Sequence, residues 1–239
     1  MLTYIDLVLS NENTTYEADD ALTTGIRELD RITGGLRASR LWLVKGPSQS
    51  GRTTLALQVA RLAAEARYPT AFLAGADPAS RLGSMLLSGT TGIPRLKPTQ
   101  EPVGDTWSTM HQYTLTAHYP EGRVISDLVS EVADANLVVV DDLDLWEQSS
   151  VDALDALVSM CESGQRVLVT APDSALTSMP PVAATAWSRA IDLQMHLINH
   201  RHSTRLGEID LNIVHHRDGP LTQVTAAFQG ALARIVDLE

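Results

Sequence analysis

Cysteine, aromatic residues and positive charge are all scarce in this chain, and each scarcity removes a class of protein. Cys161 is the single cysteine among 239 residues, so neither an intrachain disulfide framework nor a cysteine zinc cluster can form. Aromatics make up only 5%, which leaves aliphatic side chains to build the core. Lys and Arg number 18 against 29 Asp and Glu, a formal charge of -11. That balance excludes a uniformly basic nucleic-acid coat, although not a local basic strip. No apolar run approaches the roughly 20 residues that span a bilayer. The first ten residues carry Asp6 and no basic region, unlike a secretory signal. The expected setting is the cytoplasm, where thiols stay reduced, with no membrane partner.

What is present is ordinary for a globular protein: 44% hydrophobic and 20% charged residues, enough for one sizeable core or at most two small ones. Residues 1–20 read as an N-terminal arm, with Leu2, Tyr4, Ile5 and Leu7 followed by a polar stretch. Such an arm is either a frayed terminus or edge strand, or a short element that packs on a neighbouring subunit. Residues 21–239 read as one domain in which strands and helices alternate. Strands are expected at 41–44, 70–74, 112–116, 137–140 and 166–170, and helices at 53–67, 78–87, 123–133 and 151–162. Residues 89–110 and 173–188 read as loops. Three successive strands close the chain at 190–199, 208–216 and 221–228, the last two joined by the turn Asp218-Gly219-Pro220. The fold class is therefore α/β: a mostly parallel sheet flanked by helices, extended by antiparallel C-terminal strands.

The most informative stretch is Gly46-Pro47-Ser48-Gln49-Ser50-Gly51-Arg52-Thr53. It follows an expected strand and opens an expected helix, the context of a P-loop, whose backbone N–H groups and helix N-terminus cradle phosphate. The expected ligand is ATP or ADP with Mg²⁺. Thr53 is positioned to give the Mg²⁺ hydroxyl, with Thr54 as the weaker alternative. Arg52 stands where the motif has lysine. A planar guanidinium is a poor replacement for a compact ammonium between the terminal phosphates.

The partner signal is Leu137 to Asp142, an apolar strand ending in aspartate about ninety residues after the loop, the Walker-B arrangement that holds Mg²⁺. Asp141 is the preferred ligand, with Asp142 and Asp144 as alternatives.

Two further stretches carry a family resemblance. Thr24-Gly25-Ile26-Arg27-Glu28-Leu29-Asp30, running on to Gly34-Gly35-Leu36, resembles the entry to RecA-type ATPase cores, shared with radA-like and circadian-clock ATPases. His215-His216-Arg217-Asp218-Gly219-Pro220, followed by Val224, Phe228 and Gly230, resembles the ending of DnaB-type replicative helicases. The resemblance covers residue 21 to the end, without the helicase N-terminal domain. It implies a RecA-like fold, a nucleotide at a subunit interface and a hexameric ring. It also implies that Arg217 occupies the arginine-finger position, reaching a neighbour's nucleotide, while His215 replaces the family's lysine.

Measured against that family, several positions are altered. Ala76 matches the catalytic glutamate after the second strand, and Asp77 substitutes only if the register slips by one. Thr170-Ala171 stands where the family has a Ser-Gln phosphate sensor. The segment 145–150 holds no positive charge, and 173–188 has no Lys or Arg, although such cations supply most nonspecific DNA affinity. The pairs Arg95 and Lys97, and Arg201 and Arg205, read as solvated loop charge. Cys161, Trp42 and Trp146 read as core residues, and His196, His200 and His202 lack a metal-ligand pattern.

The resulting expectation is a DnaB-like nucleotide-binding protein that self-assembles and hydrolyses ATP weakly or not at all, acting with replication or repair proteins. The alternative is an active minimal helicase or DNA-dependent ATPase, with Asp77 in place of the glutamate.

Overall fold

The computed structural model describes residues 20–95, 112–146, 149–174, 180–201 and 203–238. Of the arm expected over residues 1–20, residues 1–19 lie outside the described residues, as do Lys97, His202 and most of the loop expected over 89–110.

Strand β1 (Leu41–Lys45) and strands β4 (Leu137–Val140) and β5 (Arg166–Ala171) are buried on both sides, as continuous apolar runs in a parallel sheet must be. With β2 (Thr70–Leu73) and β3 (Leu115–His118) they form the parallel half of the sheet. Strands β6 (Leu193–Asn199), β7 (Glu208–His216), β8 (Thr222–Gln229) and β9 (Arg234–Asp237) continue it. Among the described residues the order is β3-β2-β4-β5-β1-β6-β7-β8-β9. Strand β6 still runs parallel to β1, while β7 to β9 are antiparallel. The expected class holds, with β9 added at the far edge.

Alternation along the strands sends side chains to two separate cores. Trp42, Val44, Phe72, Val139 and Leu168 pack on one face, against α1 (Arg27–Thr33), α2 (Arg52–Glu65) and α3 (Ala79–Thr91). Leu41, Leu43, Val138, Val140 and Val169 pack on the other, against the short α4 (Ile125–Leu128), α5 (Ser150–Glu162) and α6 (Pro181–Ala190).

Several elements differ from the sequence expectation. Helix α6 occupies part of what reads as a loop. Two prolines at its start resemble a break, yet proline suits the first helical turn, and the helix buries only Ala183 and Trp187. Two apolar contacts spaced by four, over a helix of ten residues, give a faint periodic signal. Helix α3 runs on to Thr91 until Gly92, in the left-handed region at φ 71°, stops it. The helix expected at 123–133 shortens to α4 followed by turns, and the strand expected at 112–116 lies at 115–118. Cys161 is half-buried, and burial pushes its thiol up to about 12.

Gln58, buried on α2, joins the two ends of the domain. Its Nε2 donates to Thr24 O at 2.7 Å and Ile235 O at 2.8 Å, and its Oε1 accepts from Ile235 N at 2.8 Å. A leucine there would strand three buried backbone groups. Gln58→Leu is expected to lower stability by about 3 kcal/mol, given about 1 kcal/mol or more per orphaned group. Urea unfolding measures this, and a loss below about 1 kcal/mol would mean water replaces the side chain.

Candidate functional site

Strand β1 ends at Lys45, and the chain turns through residues 46–51 into α2. Gly51, the residue before the helix, lies in the left-handed region at φ 103° and supplies no side-chain cap. The first amides of this 14-residue helix therefore have neither an intrahelical acceptor nor a capping oxygen, and they stand ready for an anion. Gln49 also lies in the left-handed region, at φ 64°, which gives the loop its concave turn. Residues 47–54 line a cleft of about 560 Å³, which Asp77, Arg81, Met85, Arg95, Asp142, Arg201, Phe228 and Gly230 complete.

Two aspartates at the end of β4 meet the loop. Thr53 Oγ1 donates to Asp141 Oδ2 at 2.9 Å. Thr170 Oγ1 donates to Asp141 Oδ1 at 2.7 Å and accepts from Asp142 N at 2.8 Å. Asp142 lies in the left-handed region at φ 48°. The crowding there is tight: a Cβ on Gly75, after β2, would lie 2.6 Å from Asp141 O and 2.9 Å from Asp142 Cβ. Burial, reinforced by the neighbouring charge of Asp142, pushes the Asp141 carboxyl up to about 7, while the two threonine hydrogen bonds oppose the rise and Asp77 adds to it.

The chemistry of this donor set fits a nucleotide with Mg²⁺. Free amides face polyphosphate, and a hydroxyl and a carboxylate already within hydrogen-bond reach of each other suit a small, hard, six-coordinate cation. Thr53 and Asp141 are the residues that would hold it. Thr54 is nearly buried and lines the same cleft.

The Arg52 guanidinium is held at the loop mouth by protein groups. Its Nη1 donates to Gly46 O and, at 3.2 Å, to Pro47 O, and its Nη2 pairs with Asp142 Oδ1 at 2.7 Å. It thus bridges the start of the loop and the end of β4, and both charges of the pair are largely shielded from solvent.

Asp77 lines the cleft and pairs with Arg81 at 3.2 Å, one turn away on α3. Arg217 does not line this cleft. It stands at the end of β7, where its Nε pairs with Asp192 Oδ1 at 2.9 Å and its Nη2 donates to the carbonyls of Arg189 and Ile191.

Arg95, Arg201 and Arg205, expected to be solvated loop charge, are instead engaged by the protein. Arg201 Nη1 donates to Gln49 Oε1 at 2.6 Å, and its guanidinium lies 5.9 Å from the centre of the Phe228 ring. Arg95 Nη2 donates to Gly230 O at 2.6 Å. Arg205 braces the hairpin that carries Arg201, pairing with Asp210 at 2.7 Å and Glu208 at 2.6 Å. The signal that could have found Arg201 is its place in a hairpin following β6, which the parallel pairing to β1 puts beside the phosphate loop. Phe228, which the sequence marks only through the C-terminal family pattern, packs on that loop: a Cβ on Gly51 would lie 3.1 Å from its ring.

The family model of the DnaB-like helicase C-terminal domain matches residues 21–160. The replicative DNA helicase DnaB of Leifsonia xyli subsp. xyli is 26% identical over 257 aligned positions, which cover 90% of this chain and 55% of that protein. The chain thus spans about half the length of that curated relative. Among solved structures, an ATPase domain superposes with a TM-score of 0.79 at 17% identity, covering 99% of each chain. A DnaB-like replicative helicase, solved in a study of its interactions with primase, gives 0.79 at 16% identity over 99% of this chain and 68% of its own. The flagellar accessory protein FlaH of Methanocaldococcus jannaschii gives 0.65 at 10% identity, over 90% of this chain and 98% of its own. At such identities the superpositions speak for the RecA-like fold. The matched span runs from the first buried residues through the phosphate loop and β4 to α5, more than half of the sequence, so the chain belongs to the DnaB-like helicase C-terminal domain family.

Proposed function

We propose that this chain binds ATP or ADP with Mg²⁺ through residues 46–54 and Asp141, and hydrolyses the triphosphate weakly or not at all. It self-associates, in the manner of a hexameric ring, and serves as an assembly or regulatory partner in DNA replication or repair in the cytoplasm. The observation that carries the weak-hydrolysis reading is the engagement of Arg52. Its guanidinium is occupied by Gly46 O, Pro47 O and Asp142, whereas phosphoryl transfer needs a cation between the terminal phosphates. Three neighbouring positions support the same reading. Ala76 offers no carboxylate to activate water. Asp77 is held by Arg81. The Thr170 hydroxyl is occupied by Asp141 and the amide of Asp142. Arg217 is the residue proposed to reach a neighbour's nucleotide, and it does so only by leaving Asp192.

Two measurements on one purified sample test this reading. Saturating MgATP is expected to raise the melting temperature, because a ligand confined to the folded state stabilises it. Turnover is expected to stay close to that of Arg52→Ala. Brisk hydrolysis that collapses in Arg52→Ala would overturn the weak-enzyme reading.

A second reading, an active DNA-dependent ATPase or minimal helicase, is favoured by one observation: Asp77 lines the cleft with its side chain mostly shielded from solvent. It requires single-stranded DNA to stimulate hydrolysis at low salt, where phosphate contacts are strongest, and Asp77→Asn to abolish the stimulation.

A further inference from the structure

Arg52 stands at the position from which a phosphate-loop lysine reaches the β- and γ-phosphates. In this chain that cation is shared with a carboxylate. Its Nη2 pairs with Asp142 Oδ1 at 2.7 Å, while its Nη1 donates to Gly46 O and Pro47 O. The two side chains are only 12% and 18% exposed, so solvent screens their charges little. The guanidinium is a planar fork whose two Nη groups can serve two acceptors at once.

Asp142 is held where it is. Its amide donates to Thr170 Oγ1 at 2.8 Å, and its backbone lies in the left-handed region at φ 48°. Gly75 packs so closely that a Cβ on it would lie 2.9 Å from Asp142 Cβ. Two more carboxylates stand near. After burial, it is the charge of Asp142, with a smaller addition from Asp77, that raises the Asp141 carboxyl. Asp77 and Asp142 both line the cleft. The other cations of the cleft are engaged elsewhere. Arg81 pairs with Asp77, Arg95 donates to Gly230 O, and Arg201 donates to Gln49 Oε1 while lying over the Phe228 ring.

We infer that Asp142 makes this cleft select a nucleoside diphosphate over the triphosphate. This rests on the nucleotide-binding reading of the same cleft. The α- and β-phosphates sit on the loop amides. To meet the β-phosphate, Nη1 leaves the two loop carbonyls while Nη2 keeps Asp142. Gly46 O and Pro47 O are neutral acceptors, so exchanging them for an anion is favourable. A γ-phosphate has a worse choice. It competes with Asp142 for the same Nη2, or it lies beside that carboxylate without a cation of its own. In both arrangements two anions meet on one poorly screened guanidinium.

The test compares the binding of ADP and of the non-hydrolysable β,γ-imido analogue of ATP, by calorimetry on the full chain with Mg²⁺. The wild-type protein is expected to bind ADP about tenfold more tightly. Asp142→Asn keeps an acceptor for Arg52 and removes the charge, whereas Asp142→Ala removes both. In each variant the ratio of the two dissociation constants is expected to fall to about twofold or less. Taking the ratio within one protein cancels any loss of folded material. If the analogue binds the wild type as tightly as ADP does, the selectivity is refuted while the nucleotide reading stands. If the wild-type preference persists in both variants, its assignment to Asp142 is refuted. If neither nucleotide binds, the nucleotide reading fails and the selectivity fails with it.

Discussion

Without nucleotide or metal, this protein is expected to lose stability as the pH rises from about 4 to about 7, and Asp141→Asn is expected to remove that loss. The cause is Asp141, a carboxyl walled in at the end of β4, whose pKa burial raises from 3.8 to about 7. Between those values the unfolded chain has released its proton and the folded chain has kept it. The folded state then binds more protons, so stability falls as pH increases. The contribution is fully present below the unfolded value and is gone once the pH has passed through about 7. A shift of this size corresponds to at most about 4 kcal/mol. Urea unfolding across the window measures it directly. Asparagine can accept from one threonine and donate to the other, so the variant keeps the local hydrogen bonds without a titrating proton. Saturating MgADP is expected to flatten the wild-type profile, since a cation on Asp141 stabilises the ionised form. A wild-type slope that persists unchanged in Asp141→Asn would assign the effect to other groups.

Alanine at Gly46 is expected to weaken nucleotide binding by at least about a hundredfold, or about 3 kcal/mol. A Cβ there would lie 2.6 Å from Ser50 Oγ and 2.8 Å from Leu197 O. Ser50 can rotate, but Leu197 O belongs to the backbone of β6, buried in the centre of the sheet. The loop must therefore give way, and its amides lose the arrangement that faces phosphate. Calorimetric titration with MgADP reads the affinity, and urea unfolding of the same variant separates lost binding from lost fold. A folded Gly46→Ala protein that binds nucleotide like the wild type would show that the ligand does not use this loop.

The parts of the fold legible in the sequence are those whose signals are local. The run Leu137–Val140 needs no knowledge of its neighbours to be read as a strand covered on both faces. The glycines around residues 46–51, set between a strand and a helix, point to the phosphate loop in the same way. Helix α6 is legible only once Trp187 is known to be buried. Its remaining residues are small or exposed, and its prolines resemble those of a loop. The cleft divides along the same line. Thr53 and Asp141 are found from motif spacing, and their hydrogen bond at 2.9 Å brings together residues far apart in sequence. Arg201 and Phe228 reach the cleft through the antiparallel pairing of β6 to β8, and Arg95 by fastening to Gly230 and Ala231 after β8. That pairing is a property of the sheet as a whole and has no signature in any short stretch. The pairing of Arg52 with Asp142 is of the same kind: the unusual residue is visible in the sequence, but the carboxylate that occupies it is not.

Arg217 is moored rather than embedded. Its side chain is 44% exposed, and Asp192, which it leaves behind on departure, keeps Arg40 at 2.7 Å and the amide of Leu41 at 2.9 Å. The Ile191 carbonyl likewise keeps the ring of His215 at 3.0 Å. Neither of these partners is orphaned when the guanidinium swings outward, and the third, the carbonyl of the exposed Arg189, is left to water, so the release costs only about as much as a surface ion pair, on the order of 1 kcal/mol. This rim of the molecule can thus offer a mobile cation to whatever approaches it, with no repacking of the sheet beneath.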